Sequence, residues 1–211
     1  MNISLENIGK RYRRDWVFRG IDYQFNYGEK YAITGPNGSG KSTFLKIIAA
    51  HLTPTKGKIS FSKMLGASNG ETDSAAVYKS LSFAAPYIEL LEEFSLREVL
   101  DFHLKFKKNQ DNLTTEDLIE LTGLTASAEK QLRFFSSGMK QRVKLAMAIC
   151  SDSSLLLLDE PSTNLDREGI DWYRKLIKKY AAGRTVIIAS NVDEDFDFCE
   201  NRLNIKDFKK K

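Results

Sequence analysis

Hydrophobic positions alternate along the start of the chain and then change period. Ile3, Leu5 and Ile8 alternate with polar residues and predict an edge strand over 2–8; residues 16–25 alternate again. Residues 29–34 predict a short buried strand, followed by a helix over 44–51 with apolar residues at 44, 45, 47 and 48. A turn at 53–57 leads to a strand over 58–61, a small polar surface loop over 63–76, and a strand over 81–85 closed by Pro86. From 87 to about 134 no strand pattern remains. There Ser95-Leu-Arg-Glu98 and Thr114-Thr-Glu-Asp117 read as capping boxes opening helices over 96–106 and 118–121.

Beyond this block an apolar-periodic helix runs to Cys150, and helices are predicted over 167–180 and 192–200. Between them lie the run Leu155-Leu-Leu-Leu158 with Asp159 and Glu160, a buried strand over 185–189 and an edge strand over 202–206. Four successive leucines imply burial on both faces, as in a central parallel strand. The acid pair then falls at the strand's carboxyl end, where open α/β sheets place ligands.

Gly35-Pro36-Asn37-Gly38-Ser39-Gly40-Lys41-Ser42-Thr43 fits G-x-x-x-x-G-K-[ST], flanked by the strand and helix that this pattern requires. Glycines at 35, 38 and 40 let backbone N–H groups approach phosphate oxygens with no Cβ in the way. The helix that follows directs its positive end to the same place. Lys41 is expected to reach the β- and γ-phosphates of a nucleoside triphosphate and the Ser42 hydroxyl to bind Mg²⁺, with Asn37, Ser39 and Thr43 completing the loop.

Composition narrows the class only a little. Hydrophobic content of 42% with 28% charged residues is globular, and a net charge of +4 is too slight to indicate a nucleic-acid partner. No apolar run approaches the ~20 residues of a spanning helix, and the start lacks a signal peptide's basic and apolar regions. Cys150 and Cys199, each in a predicted helix without C-x-x-C spacing, are expected to be buried free thiols. Tyr12, among Lys10, Arg11, Arg13 and Arg14, offers a ring on which a base can stack.

The leucine run with Asp159 and Glu160 resembles a Walker B strand, with Asp159 holding Mg²⁺ beside Ser42 and Glu160 placed to accept a proton from the attacking water. The ordered set resembles the ABC-type ATPases, the nucleotide-binding subunits of ATP-binding-cassette transporters. Phe135-Ser-Ser-Gly-Met139 is similar to that family's LSGGQ signature, and Ser162-Thr-Asn-Leu-Asp166 to its D-loop. The resemblance implies an α/β fold: a P-loop NTPase core with a mainly parallel central sheet, an antiparallel β edge subdomain and a helical insertion. It implies one domain over 1–211, with 87–134 as the helical subdomain and 1–86 and 135–211 as the core. It further implies Tyr12 stacked on adenine, and Ser136, Gly138 and Asp166 serving the γ-phosphate of a second ATP-binding subunit, homo- or heterodimeric, in an ATP sandwich.

Two positions depart from the family pattern. Its usual Gln after the strand is absent from Phe83-Ala-Ala-Pro-Tyr87, and Ser190-Asn191-Val192 stands where a His is usual. Asn191 can donate a hydrogen bond to phosphate but carries no charge. The expectation is therefore a slow ATPase energising a membrane transporter, an exporter, from the cytoplasmic face through a transmembrane permease. The alternative is a weakly hydrolysing regulatory subunit paired with a more active homologue.

Overall fold

The structure, a computed structural model, describes residues 1–62, 71, 72 and 74–209. Most of the expected 63–76 loop lies outside the described residues. The chain divides into two compact units. One comprises Met1–Phe83, Ser154–Glu160 and Gly183–Lys211; the other comprises Ala84–Ser153 and Pro161–Ala182.

In the first unit, β1 (Asn2–Tyr12), β2 (Asp15–Phe25), β4 (Lys56–Ser62) and the short β5 (Glu71–Thr72) form an antiparallel sheet ordered β2-β1-β4-β5. The expectation that β1 is an edge strand is corrected: β2 pairs on one side and β4 on the other. Alternation reports one buried face but says nothing about how many edges are paired. The spacing of Ile3, Leu5 and Ile8 is also explained. Pairing slips between Leu5 and Ile8, where Asn7 takes a positive φ of 50°, and this bulge returns Ile8 to the buried face.

A five-stranded sheet of β3 (Lys30–Thr34), β6 (Leu81–Ala84), β7 (Leu155–Asp159), β8 (Thr185–Ala189) and β9 (Asn201–Asn204) has the order β6-β7-β8-β3-β9. β7, β8, β3 and β9 run parallel. All five β7 residues are buried, as the leucine run requires, and β9 closes an edge. Leu155 and Leu157 join the core with Ile187 of β8, Phe18 and Phe25 of β2, and Phe44 and Ile48 of α1 (Lys41–Ile48). Removing one such leucine side chain costs about 2–5 kcal/mol.

The predicted 192–200 helix is corrected to a single 3-10 turn, Asp193–Asp195. Ser190 Oγ takes the Val192 N–H at 3.0 Å and lies 2.5 Å from Asp195 Oδ2. Side-chain oxygens thereby compete with a helical ladder. Cys199 accordingly is not helical, though both it and Cys150 are buried free thiols.

The second unit is helical: α2 (Leu96–Phe106), α3 (Thr115–Thr122), α4 (Ser137–Cys150) and α5 (Arg167–Tyr180). Ser95 with Glu98 and Thr114 with Asp117 form reciprocal capping boxes. Each cap contributes about 1 kcal/mol. α4 packs on α2, α3 and α5, and Trp172 Nε1 of α5 donates to the Leu121 carbonyl of α3 at 2.6 Å.

Candidate nucleotide site

Three adjacent parallel strands, β7, β8 and β3, end side by side. Ile33 and Asp159 are both in register with Ala189. Two backbone bonds extend this alignment past the strand ends, Ser190 N–H to the Ile33 carbonyl at 3.2 Å and Glu160 N–H to the Ala189 carbonyl at 2.8 Å. Residues from three distant stretches are thereby fixed around the 35–43 loop. That is the crevice in which parallel sheets hold ligands.

The loop turns into α1 at Gly40, whose φ of 107° is unfavourable for any side chain. A Cβ there would also lie 2.4 Å from Val17 Cγ1. No side chain caps this helix start, so its first N–H groups keep their capacity for an anion. Ser39 Oγ is buried with no hydrogen-bond partner among the described residues. A buried hydroxyl of this kind has an unused capacity that a phosphate oxygen would fit. Lys41, only 4% exposed, donates from Nζ to the Gly35 carbonyl at 2.9 Å and pairs with Glu160 Oε1 at 3.2 Å. Ser42 and Thr43 follow in the first turn of α1, partly buried.

Asp159 is buried at 1% exposure at the end of β7, and Glu160 takes a left-handed φ of 44°. A non-glycine residue in that conformation is strained and is retained where the surroundings fix it. Among the described residues no group of three or more His, Cys, Asp or Glu forms a metal cage. Mg²⁺ does not require one, because it is commonly held by one or two protein oxygens together with substrate phosphates. Ser42 and Asp159 fit that role.

Asn191 is exposed and donates from Nδ2 to Asn37 Oδ1 of the loop at 3.3 Å. Tyr12 ends β1 with its ring half-exposed and Lys10 Nζ 5.4 Å from its centroid. Two residues that the sequence reading did not select belong to this constellation. Ser190 Oγ lies 3.2 Å from Glu160 Oε2 and 2.5 Å from the fully buried Asp195. The only sequence signal is their place just beyond a buried strand.

In the second unit, Ser136 caps α4 by accepting the Met139 N–H at 3.2 Å, and Asp166 caps α5 by accepting the Gly169 N–H at 2.8 Å. Gly138 packs so closely under Asn164 that a Cβ would lie 2.8 Å from its carbonyl oxygen. Ser136, Ser137 and Asp166 are exposed around this contact. The replaced glycine at 137 therefore points its hydroxyl side chain outward. Where the usual Gln is missing, Lys144 of α4 donates to the carbonyls of Ala85 at 3.3 Å and Pro86 at 3.1 Å.

Comparison with known proteins identifies the family. The chain is 31% identical to the Nod factor export ATP-binding protein I of Rhizobium johnstonii over 95% of its length, and 29% identical to the glucose import ATP-binding protein GlcV of Saccharolobus solfataricus over 97%. It spans 65% and 60% of those relatives. The fold matches the dimeric post-hydrolysis structure of the ATP-binding cassette MJ0796 bound to ADP and Pi, with a TM-score of 0.81 at 22% identity, over 96% of this chain and 93% of that one. The family model described as ABC transporter matches residues 18–163, more than half of the chain. The chain belongs to the ABC transporter family, as an ATP-binding subunit.

Proposed function

We propose that this chain binds ATP with Mg²⁺ and hydrolyses it slowly, energising a transmembrane permease as one half of an ATP-sandwich dimer. The observation that carries the reading is the convergence of Lys41, Asp159 and Glu160 on one loop whose buried Ser39 hydroxyl lacks a partner among the described residues. Bound magnesium would neutralise phosphate charge and orient the triphosphate. The loop amides and Lys41 would grip the phosphates, Ser42 and Asp159 would hold the metal, and Tyr12 would stack on the base. Glu160 would take the proton of the attacking water.

Slowness follows from chemistry at two positions. Asn191 offers a neutral donor where a charged one is usual, and charge-assisted hydrogen bonds are roughly twice as strong. No side-chain amide follows β6 to orient water. Ser136, Gly138 and Asp166 would complete the site of a second subunit. No helix among the described residues is long and apolar enough to cross a membrane. A transmembrane permease would provide the path, with this chain on its cytoplasmic face and residues 87–134 against it. Export is the proposed direction, supported by the likeness to the Nod factor export subunit. A partner belonging to an import system, identified by co-purification from native membranes, would overturn it.

ATP turnover of the purified chain tests the enzymatic reading. Glu160→Gln should lower it by roughly 10²–10⁴-fold, the usual contribution of a general base. An unchanged rate rejects Glu160 as the base. If the wild-type chain binds ATP but turns it over only when mixed with a homologous subunit, the regulatory alternative, favoured by Asn191, replaces the first.

A further inference from the structure

Glu160 has a polar neighbour at each oxygen, and the second neighbour has no part in the scheme above. Lys41 meets Oε1, while Ser190 Oγ stands 3.2 Å from Oε2. We propose that Ser190, set by the buried Asp195, is a positioning residue that takes over the hold on Glu160 when Lys41 turns to phosphate. This rests on the ATPase reading and adds to it a role for two residues outside its motifs.

A serine hydroxyl has one proton to give. At 2.5 Å from Asp195 Oδ2 and 3.2 Å from Glu160 Oε2, the proton belongs to Asp195 in this arrangement. The Val192 N–H enters Ser190 Oγ at 3.0 Å and fixes the oxygen in place. Rotation about the Ser190 Cβ–Oγ bond then moves the proton from one carboxylate to the other, with the Asp195 carboxylate easing back from its 2.5 Å contact once that oxygen no longer donates to it.

The need for that rotation is set by Lys41. While its ammonium lies 3.2 Å from Oε1, the Glu160 charge is already met. Once Lys41 is committed to phosphate, Glu160 loses the ammonium that met its charge, and Ser190 Oγ is the hydroxyl standing next to its other oxygen. The Glu160 backbone cannot follow the lysine, because its N–H is tied to the Ala189 carbonyl at 2.8 Å. Asn191 does not take this role, since its amide is directed to Asn37. Ser190 is the remaining side-chain donor shown within reach of Oε2.

The test uses the full chain and the variants Ser190→Ala, Ser190→Thr and Glu160→Gln with Ser190→Ala. Two quantities are read, the Kd for a non-hydrolysable ATP analogue with Mg²⁺ and kcat for ATP, with melting temperatures confirming that each variant is folded. Ser190→Ala should bind the analogue within about twofold of wild type, because the loop is untouched, yet turn over roughly tenfold more slowly. Ser190→Thr, which keeps the hydroxyl, should recover most of that rate, and the double variant should be no slower than Glu160→Gln alone.

Wild-type kcat in Ser190→Ala overturns the proposal. So does a threonine variant as slow as alanine, or a double variant slower than Glu160→Gln, since either shows a role other than holding Glu160. If wild-type turnover is absent or indifferent to Glu160→Gln, the ATPase reading falls as well. An active wild type beside an unaffected Ser190→Ala sinks this inference alone.

Discussion

The loop at 35–43 and the helix start at 136–139 both contain glycine and both open helices, yet they are built in opposite ways. In the first, Ser39 and Lys41 are each 4% exposed, and the lysine is already bonded to Gly35 and Glu160. In the second, Ser136 and Ser137 lie open on the surface, and Gly138 packs backbone on backbone under Asn164. A cradle with sequestered donors can grip a phosphate alone, since water competes weakly there. A helix start with exposed donors gains strength only when something covers it. In an ATP sandwich the first segment would hold the nucleotide and the second would close over it.

The strongest way to break the comparison is to damage each loop and ask whether binding and pairing separate. Lys41→Ala should weaken ATP-analogue binding roughly ten- to a hundredfold, the value of a lost charge-assisted contact. Gly138→Val should leave that affinity near wild type while abolishing ATP-dependent dimerisation and turnover, as measured by light scattering and phosphate release. Dimers that persist in Gly138→Val would show that the exposed loop is not the covering element.

A smaller effect sharpens the account of slow hydrolysis. Asn191→His places an ionisable donor next to Asn37 and should raise kcat roughly three- to tenfold, with little change in analogue Kd. A slower variant would mean that the Asn191–Asn37 contact itself is what the site requires.

The smallest effect lies away from both loops. Burial, with Lys107 nearby, pushes His103 of α2 down to about 4. Its Nε2 lies 2.9 Å from Ser151 Oγ, whose own proton goes to the Met147 carbonyl at 2.6 Å, so the neutral ring donates from Nε2. The unfolded chain, with an ordinary histidine near 6.5, binds the proton more readily. Stability from this residue is thus full above about pH 6.5 and is lost as pH falls towards 4. The melting temperature should drop between pH 7 and pH 5 by more in wild type than in His103→Leu.

Much of this architecture was legible in local pattern. The capping boxes at Ser95 and Thr114, the α5 span and the buried leucine strand follow from spacing that short-range physics enforces. The misreadings share a cause. β1 is interior because β4, some fifty residues later, pairs with its second edge. Residues 192–200 lack a helix because Ser190 and the buried Asp195 bond to each other.

Residue types alone put a glycine-rich loop, a lysine, a hydroxyl and an acid pair in the order of an ABC ATPase, because phosphate chemistry restricts what can stand at each place. The fold adds that Glu160 stands between Lys41 and Ser190, and that Asn191 turns to Asn37. Those choices depend on three parallel strands ending level with one another. Pairing between strands distant in sequence leaves no local trace in any of them.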